Sequence, residues 1–285
     1  MAYQPTGKLD CVETARHYRE RVRANVERLK VTPGLAVVLG SEDPGSVLYR
    51  DLLVKDCEEL GIRPSYHTVG SGIQVVKLIA HLNQDSATHG IFIFYPLRYP
   101  ELRDDEIMDL VDPGKDIEGL HSINVGYLNK FRKRMAEGID RVCMAPCTGR
   151  AVVKVIKRGF GADYFSGKTV LVINDSPRIG RPITAMVANL KGTPILCHQY
   201  TQPSHLEGFI KVADVIVSAV PVPDYRIPTD WIKDGALCVD LSHQGNYDYD
   251  ALDARGIEYT NTRRNSVGKV TRAMALLNLT YAAGV

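Results

Sequence analysis

The sequence of 285 residues contains no apolar run long enough to span a bilayer, and residues Met1–Thr6 form no apolar signal core. We therefore expect a cytoplasmic protein without membrane contact. The chain also lacks a large excess of charge of either sign, because 35 Lys and Arg are nearly balanced by 33 Asp and Glu. This balance gives no reason to expect a nucleic-acid partner. The one short basic run is expected to be a solvated loop: Lys130, Arg132, Lys133 and Arg134.

The six cysteines lack the pairing that a metal site or a disulfide framework needs. Cys143 and Cys147 form a single C-x-x-x-C with no second pair and no nearby histidine. We therefore expect reduced thiols, with neither a zinc site nor disulfides.

A chain of this length favours two linked domains. Apolar periodicity predicts strands that alternate with helices, which is typical of a parallel sheet covered on both faces. The first run has helices at 10–29, 46–60 and 72–83 and strands at 35–39, 64–68 and 90–94. Residues 112–147, rich in Asp, Gly, Asn and Pro, interrupt this rhythm and are predicted to be a long functional loop. The second run has helices at 148–158, 180–190 and 270–283 and strands at 168–173, 194–197, 213–219 and 236–240.

The turn between the strand at 168–173 and the helix from Gly180 is a candidate dinucleotide site. A helix N-terminus presents free N–H groups to a pyrophosphate. The general fingerprint requires three glycines, and this turn contains only Gly180. A plain turn that binds nothing therefore remains an equal alternative on the turn alone.

Several ordered segments together resemble the methylenetetrahydrofolate dehydrogenase/cyclohydrolase family over almost the whole chain. They are 33–39, 42–49, 90–97, 112–121, 124–126, 146–148, 172–182 and 268–271. The resemblance implies an α/β fold with a folate-binding domain at 1–147, a Rossmann domain at 148–267 and a C-terminal helix at 268–285 that packs back on the first domain. It also implies an active site in the cleft between the domains, and a homodimer.

The resemblance also implies site residues. Tyr49 would stack on the folate ring, and Glu118 would hydrogen-bond the pterin. The positions with a catalytic part are Tyr49, Leu53 and Glu118. The implied folate-binding residues are Tyr49, Phe94, Tyr95, Pro96, Leu97, Glu118 and Gly268. The implied cofactor-binding residues are Asn174, Asp175, Ser176, Arg178, Ile179, Gly180, His198, Val220 and Pro221, while Arg181 could instead be a surface residue.

The sequence departs from the family pattern at the residues tied to the cyclohydrolase step. Bifunctional members carry a lysine four residues after the tyrosine, where this chain has Leu53, and a glutamine where it has Phe94. Lys55 points away from the Tyr49 direction on a helix and is expected to be solvated. The late glycine-rich loop has become Asn265–Lys269. These losses resemble the monofunctional NAD-linked dehydrogenases, so we expect oxidation of methylenetetrahydrofolate without efficient cyclohydrolase activity.

Cofactor choice follows from Asp175, which stands where NADP-dependent members commonly have an arginine. An acid there would repel a 2′-phosphate and could bind a ribose hydroxyl, so we expect NAD, although Asp175 could merely cap the turn. His121 and Asp116 are expected to order their loop rather than act in catalysis. Three alternatives stay open: a bifunctional NADP-dependent enzyme, a catalytically silent folate-binding regulator, and a dehydrogenase for another one-carbon carrier.

Overall fold

The computed structural model describes residues 7–40, 44–132 and 142–285, and the chain divides into two compact units. The first unit consists of the described residues of His17–Cys147 together with Arg272–Val285. The second unit consists of the described residues up to Arg16 together with Thr148–Thr271. The predicted domain bounds of 1–147, 148–267 and 268–285 stay a prediction, since compact units need not coincide with domains.

The first unit is built on a three-stranded parallel sheet of order β2-β1-β3. Its strands are β1 (Gly34–Leu39), β2 (Arg63–Thr68) and β3 (Gly90–Phe94). Its helices are α2 (Pro44–Glu59), α3 (Gly72–Gln84), α4 (Asp104–Met108) and α5 (Ser122–Asn129), with most of α1 (Cys11–Arg28) and α10 (Val267–Ala282). Every residue of the central strand β1 is buried, as its continuous apolar sequence predicts.

The two faces of β3 contact different helices. Ile91 and Ile93 share a buried cluster with residues of α3, including Val75 and Ile79. Side chains alternate along a strand, so Phe92 and Phe94 point to the opposite face. That face carries the aromatic contacts to α2 that are described below.

Helix α5 corrects the prediction of one long loop at 112–147. His121 precedes the helix, and its Nδ1 accepts a hydrogen bond from the Ile123 N–H at 3.0 Å. The apolar residues of this short helix are not confined to one face, so it has little apolar periodicity, which is why the pattern did not reveal it. In the basic run, Lys130 and Arg132 are exposed, as expected, whereas Lys133 and Arg134 lie outside the described residues.

The last helix packs on the first unit, as the family resemblance implied. Asn278 Nδ2 donates to the carbonyl oxygens of Ile117 at 2.8 Å and Ala145 at 3.2 Å. Thr280 Oγ1 accepts from Asn25 Nδ2 at 2.9 Å. These amide hydrogen bonds attach α10 to the loop before α5, to the backbone at Ala145 and to helix α1.

The second unit is a five-stranded parallel sheet of order β5-β4-β6-β7-β8. Its strands are β4 (Thr169–Ile173), β5 (Thr193–Cys197), β6 (Val215–Ser218), β7 (Leu237–Asp240) and β8 (Glu258–Tyr259). Its helices are α6 (Cys147–Phe160), α7 (Gly180–Asn189), α8 (Pro203–Val212) and α9 (Tyr249–Ala254), with a 3-10 turn at Thr229–Trp231. The order reverses at β4, and such a switch point forms the crevice where open α/β sheets bind ligands. Within the described residues, no helix is long and apolar enough to cross a membrane.

Gly180 begins α7 where the helix comes closest to the end of β4. A Cβ atom at this position would lie 1.5 Å from the carbonyl oxygen of Asn174. Only glycine permits this approach, which explains why the turn retains this one glycine of the general fingerprint.

We expect Gly180→Ala to displace the turn and lower stability by about 2 kcal/mol or more, because the added methyl group collides with backbone. Gly208→Ala is the matched control, since Gly208 lies in α8 with no atom within 4 Å of the added Cβ. That variant should be neutral or more stable by up to about 1 kcal/mol. Urea unfolding midpoints measure both changes. Equal midpoints for the two variants would contradict the steric role of Gly180.

Candidate functional site

An aromatic cluster joins α2 to one face of β3. The Tyr49 ring lies 6.4 Å from the Phe92 ring at an interplanar angle of 22° and 5.7 Å from the Phe94 ring at 75°. Phe92 and Phe94 are themselves 5.2 Å apart. The structure therefore brings Tyr49 and Phe94 together, as the implied folate site requires, and adds Phe92, which the sequence did not single out.

Leu53 follows Tyr49 by one helical turn and is completely buried. The position of the family lysine is thus occupied by a fully buried apolar side chain. Lys55 has a side chain that is 70% exposed, with its Nζ 3.9 Å from Glu59 Oε1. This confirms that Lys55 is a solvated helix lysine and does not replace the missing amine.

A cation nevertheless lies beside Tyr49, and it comes from α10. The guanidinium carbon of Arg272 is 5.5 Å from the centre of the Tyr49 ring, within cation–π range. Arg272 Nε donates to Asp56 Oδ2 at 2.6 Å, and both side chains are nearly buried. Asp56 also pairs with Arg19 of α1, which reaches Glu59 at 2.6 Å. Apolar periodicity contains no signal for this network, because its members lie on three separate helices.

The electrostatic surroundings of Tyr49 follow from this packing. Burial is the main cause that raises the pKa of the Tyr49 phenol well above its ordinary value, while the Arg272 charge opposes that rise. The nearby Cys147 and Glu118 act in the same direction as burial. Tyr49 thus stays a neutral phenol, suited to stacking and not to proton transfer at neutral pH.

Glu118 lies beside the edge of β3. Ile91 N–H donates to the carbonyl oxygen of Lys115 at 2.9 Å, and Ile93 N–H donates to Glu118 Oε2 at 3.0 Å. The Glu118 carboxylate therefore continues the row of acceptors along this strand and is held near the aromatic cluster.

Asp116 organises the loop that presents Glu118. Its buried carboxylate accepts from the N–H groups of Gly119 at 3.0 Å and His121 at 2.8 Å and from Asn124 Nδ2 at 2.8 Å. Burial raises the pKa of Asp116, and these hydrogen bonds oppose the rise. The structure thus supports the predicted ordering roles of Asp116 and His121.

The segment after β3 holds three more of the predicted folate residues. Tyr95 packs against the core of the first unit, and the Tyr95–Pro96 peptide is cis. Pro96 is exposed, whereas Leu97 is buried and its N–H donates to Asp104 Oδ1 at 3.0 Å. Leu97 is therefore part of the core, and a folate contact for any of the three stays a prediction.

Gly268 is the second residue of α10, where its N–H donates to Ser266 Oγ at 3.2 Å. It belongs to the second unit. Its predicted folate contact likewise stays a prediction.

In the second unit, side chains of the turn before α7 hold the turn's own backbone. Asn174 Oδ1 accepts from Ser176 N–H at 3.0 Å, and Ser176 Oγ accepts from Ile179 N–H at 3.2 Å. Arg181 Nε donates to the Asp175 carbonyl oxygen at 2.9 Å, so Arg181 has a place in the turn. Asn174 Nδ2 donates to the Ala219 carbonyl oxygen at 2.9 Å, which ties the turn to the end of β6. The rigid turn and the close approach at Gly180 fit a dinucleotide pyrophosphate.

The remaining predicted cofactor residues surround the carboxyl ends of the strands. Asp175 is exposed and Arg178 is half-buried. His198 follows β5, where its Nδ1 accepts from Tyr200 N–H at 3.2 Å. Val220 and the exposed Pro221 follow β6. Each lies at the sheet edge that binds ligands in this fold class, and each direct contact stays a prediction.

A buried polar network that sequence reasoning missed supports this edge. Asn246 Oδ1 accepts from Ser218 Oγ at 2.7 Å and from Val220 N–H at 2.9 Å. Asp240 Oδ2 accepts from Asn246 N–H at 2.7 Å and from Tyr249 OH at 2.8 Å. The sequence pattern that could have indicated this network is a polar residue at the end of each of two apolar strands, Ser218 in β6 and Asp240 in β7.

Comparison with known proteins connects both units to one family. Residues 9–118 match the model of the tetrahydrofolate dehydrogenase/cyclohydrolase catalytic domain, and residues 146–284 match that of its NAD(P)-binding domain. The chain belongs to the tetrahydrofolate dehydrogenase/cyclohydrolase family. It is therefore an enzyme of folate one-carbon metabolism with a Rossmann-like domain, as the resemblance implied.

Relatives within the family differ in their described activities. "Bifunctional protein FolD 2" of Geobacter metallireducens is 32% identical, with 96% of each chain covered. The crystal structure of the bifunctional FolD of Campylobacter jejuni has a TM-score of 0.82 and 29% identity over 96% of this chain and 97% of that one. The NAD-dependent 5,10-methylenetetrahydrofolate dehydrogenase of Saccharomyces cerevisiae also has a TM-score of 0.82 over 95% of each chain. Its 23% identity shows the shared fold alone.

We expect Asp56→Asn to destabilise the first unit by about 3–5 kcal/mol, because it leaves the nearly buried Arg272 without its anion. Glu59→Gln is the control: the Glu59 side chain is 48% exposed, so that change should cost less than about 1 kcal/mol. Urea unfolding followed by circular dichroism measures both. A loss for Asp56→Asn as small as the control's would show that the network contributes little.

Proposed function

We propose that this enzyme oxidises 5,10-methylenetetrahydrofolate to 5,10-methenyltetrahydrofolate by hydride transfer to NAD, without efficient cyclohydrolase activity. Tetrahydrofolate is the carrier of the one-carbon unit. The expected homodimer remains part of the proposal and rests on the family resemblance alone.

The observation that carries the proposal is the apolar character of the α2 face behind Tyr49. Leu53 is buried, and Phe94 contacts the Tyr49 ring. Neither side chain can transfer a proton to or from a water molecule. Cyclohydrolysis adds water to the methenyl cation and needs such a group, whereas hydride loss from the methylene carbon leaves a delocalised cation and requires no proton removal.

The residues of the chain then act mainly by position. Tyr49 offers an aromatic ring to the pterin, and the Phe92 and Phe94 side chains exclude water from that side. Glu118, fixed by Ile93 N–H, offers a carboxylate oxygen for a pterin hydrogen bond. The turn from Asn174 to Gly180 would hold the pyrophosphate. When bound, a nicotinamide dinucleotide supplies the hydride acceptor, and alignment accounts for most of the rate.

We expect the purified enzyme to form NADH with methylenetetrahydrofolate and to accumulate the methenyl product. Absorbance of the methenyl compound should then decay at its spontaneous rate, because Leu53 and Phe94 cannot activate water as the family's lysine and glutamine would. The FolD 2 relative of Geobacter metallireducens, assayed in parallel, is the positive control for hydrolysis. Decay clearly faster than the spontaneous rate would overturn the monofunctional assignment, and absence of NADH and NADPH formation would overturn the dehydrogenase assignment.

The preference for NAD is proposed from Asp175, whose side chain is exposed at the turn before α7. A carboxylate there repels the 2′-phosphate of NADP and can accept a hydrogen bond from the ribose hydroxyl of NAD. The Arg181 guanidinium is held at the Asp175 carbonyl oxygen by a 2.9 Å hydrogen bond and thus helps to fix the backbone of this residue.

We expect Asp175→Ser to raise the ratio of kcat/KM for NADP over NAD on the order of tenfold, equivalent to about 1.4 kcal/mol. Removal of the repulsion improves NADP, and loss of the ribose contact weakens NAD. Asp163→Ser removes another exposed acid of the second unit and should leave the ratio unchanged. If Asp175→Ser also leaves it unchanged, Asp175 serves the turn and does not select the cofactor.

A further inference from the structure

A cleft lies at the carboxyl edge of the five-stranded sheet, and no residue of the turn before α7 is among its lining residues. Its volume is about 550 Å³, in the range of small-molecule sites. The residues that matter for its chemistry are Arg226, Arg263, Arg264, Asn261, Gln244 and Tyr249. All belong to the second unit.

The topology places this cleft on the other side of the switch point. Arg226 is on the loop after β6, Gln244 on the loop after β7, and Asn261 with both remaining arginines on the loop after β8. The sheet order puts β7 and β8 beyond β6, whereas the turn before α7 follows β4. The cleft is thus formed by three loops that leave the ligand-binding edge of a parallel sheet, and it does not include the turn before α7.

The charge of the cleft is uncompensated. Three exposed arginines are among its lining residues, whereas no Asp or Glu is, and all of the lining residues belong to the described part of the chain. Asp240 is close to Tyr249, but it is buried, and its oxygens accept from Ser242, Asn246 and Tyr249. Three positive charges on the walls of one cleft, with no acid among the lining residues, raise the local electrostatic potential and favour a bound anion.

The loop that carries two of the arginines is preorganised. Asn261 Oδ1 accepts from the N–H groups of Arg263 and Asn265, both at 3.0 Å. The buried Asn265 side chain donates to the Leu9 carbonyl oxygen at 2.6 Å and accepts from Cys11 N–H at 2.8 Å. These hydrogen bonds fix the backbone that presents Arg263 and Arg264, which lowers the entropy cost of binding.

We propose that this cleft binds a small molecule that carries two or more phosphate or carboxylate groups. The planar guanidinium groups form paired hydrogen bonds with either kind of anion, and three of them match more than one anionic group. Asn261 and Gln244 add neutral polar side chains, and Tyr249 contributes an aromatic wall. The proposal rests on the lining of the cleft alone and does not depend on the proposed reaction.

The experiment is isothermal titration calorimetry of the full-length enzyme at constant ionic strength, with pyrophosphate and citrate as probes. At least one probe should bind saturably, and the double variant Arg263→Ala/Arg264→Ala should weaken it on the order of tenfold or more. The double variant Arg23→Ala/Arg28→Ala removes two exposed charges from α1 and should bind as the unmodified enzyme does. Binding of pyrophosphate alone assigns the cleft to phosphates, and binding of citrate alone assigns it to carboxylates.

Two further variants keep the result decisive. Arg226→Ala alters a different loop and should also weaken binding, which covers a folding defect in the double variant. Arg178→Ala reports on pyrophosphate held at the turn before α7 and should leave binding in the cleft intact. The proposal falls if neither probe binds, if the Arg226 and Arg263/Arg264 variants bind normally, or if Arg178→Ala alone removes binding.

Discussion

The packing of the first unit depends on the ion pairs that the Asp56 carboxylate forms. It lies between Arg19 of α1 and Arg272 of α10, so one acid on α2 connects three helices. Nearly buried ions are stable only when they are paired, and this requirement fixes the position of α10 against the helix that carries Tyr49. The guanidinium that satisfies Asp56 also lies over the Tyr49 ring. The position of Tyr49, the candidate folate-stacking residue, is thus coupled to the stability of the unit.

The same region shows how a family site can lose its polar chemistry and remain well packed. Once the family lysine is leucine, the side chain joins the core, and a phenylalanine replaces the glutamine against Tyr49. The two substitutions act in the same direction: a buried amide needs a hydrogen-bond partner, and a buried lysine needs a counter-charge. Two apolar residues together avoid both costs. The remaining polar groups, Glu118 and Asp116, are satisfied by backbone N–H groups of β3 and the loop before α5.

Local sequence patterns predicted every described strand except the two-residue β8, and most of the described helices, because apolar periodicity reports on a single element; Tyr49 and Phe94 were indicated by the family resemblance. They could not predict Arg272 beside Tyr49: the arginine and Asp56 are 216 residues apart, and only the packing of α10 brings them together. Asn246 was missed for the same reason, since its partners Ser218 and Val220 lie at the end of β6 and just after it. Helix α5 was missed because its cap, His121, is unusual and its interior residue Asn124 is polar. The importance of Gly180 could be predicted because the close approach of a helix to the preceding strand requires a residue without a side chain at this single position.

The discontinuous make-up of the first unit has a consequence for biosynthesis. Residues 272–282 lie C-terminal to the entire second unit, yet they supply the partners of Asp56, Asn25 and the Ile117 carbonyl group. During translation the sheet of β1, β2 and β3 emerges early, but its last helix emerges only after β8 has been made. The N-terminal sheet therefore lacks the helix that completes its unit, and the apolar surface that α10 covers stays exposed while the ribosome produces the second unit. Folding of the first unit therefore cannot be completed before residues 272–282 have been translated.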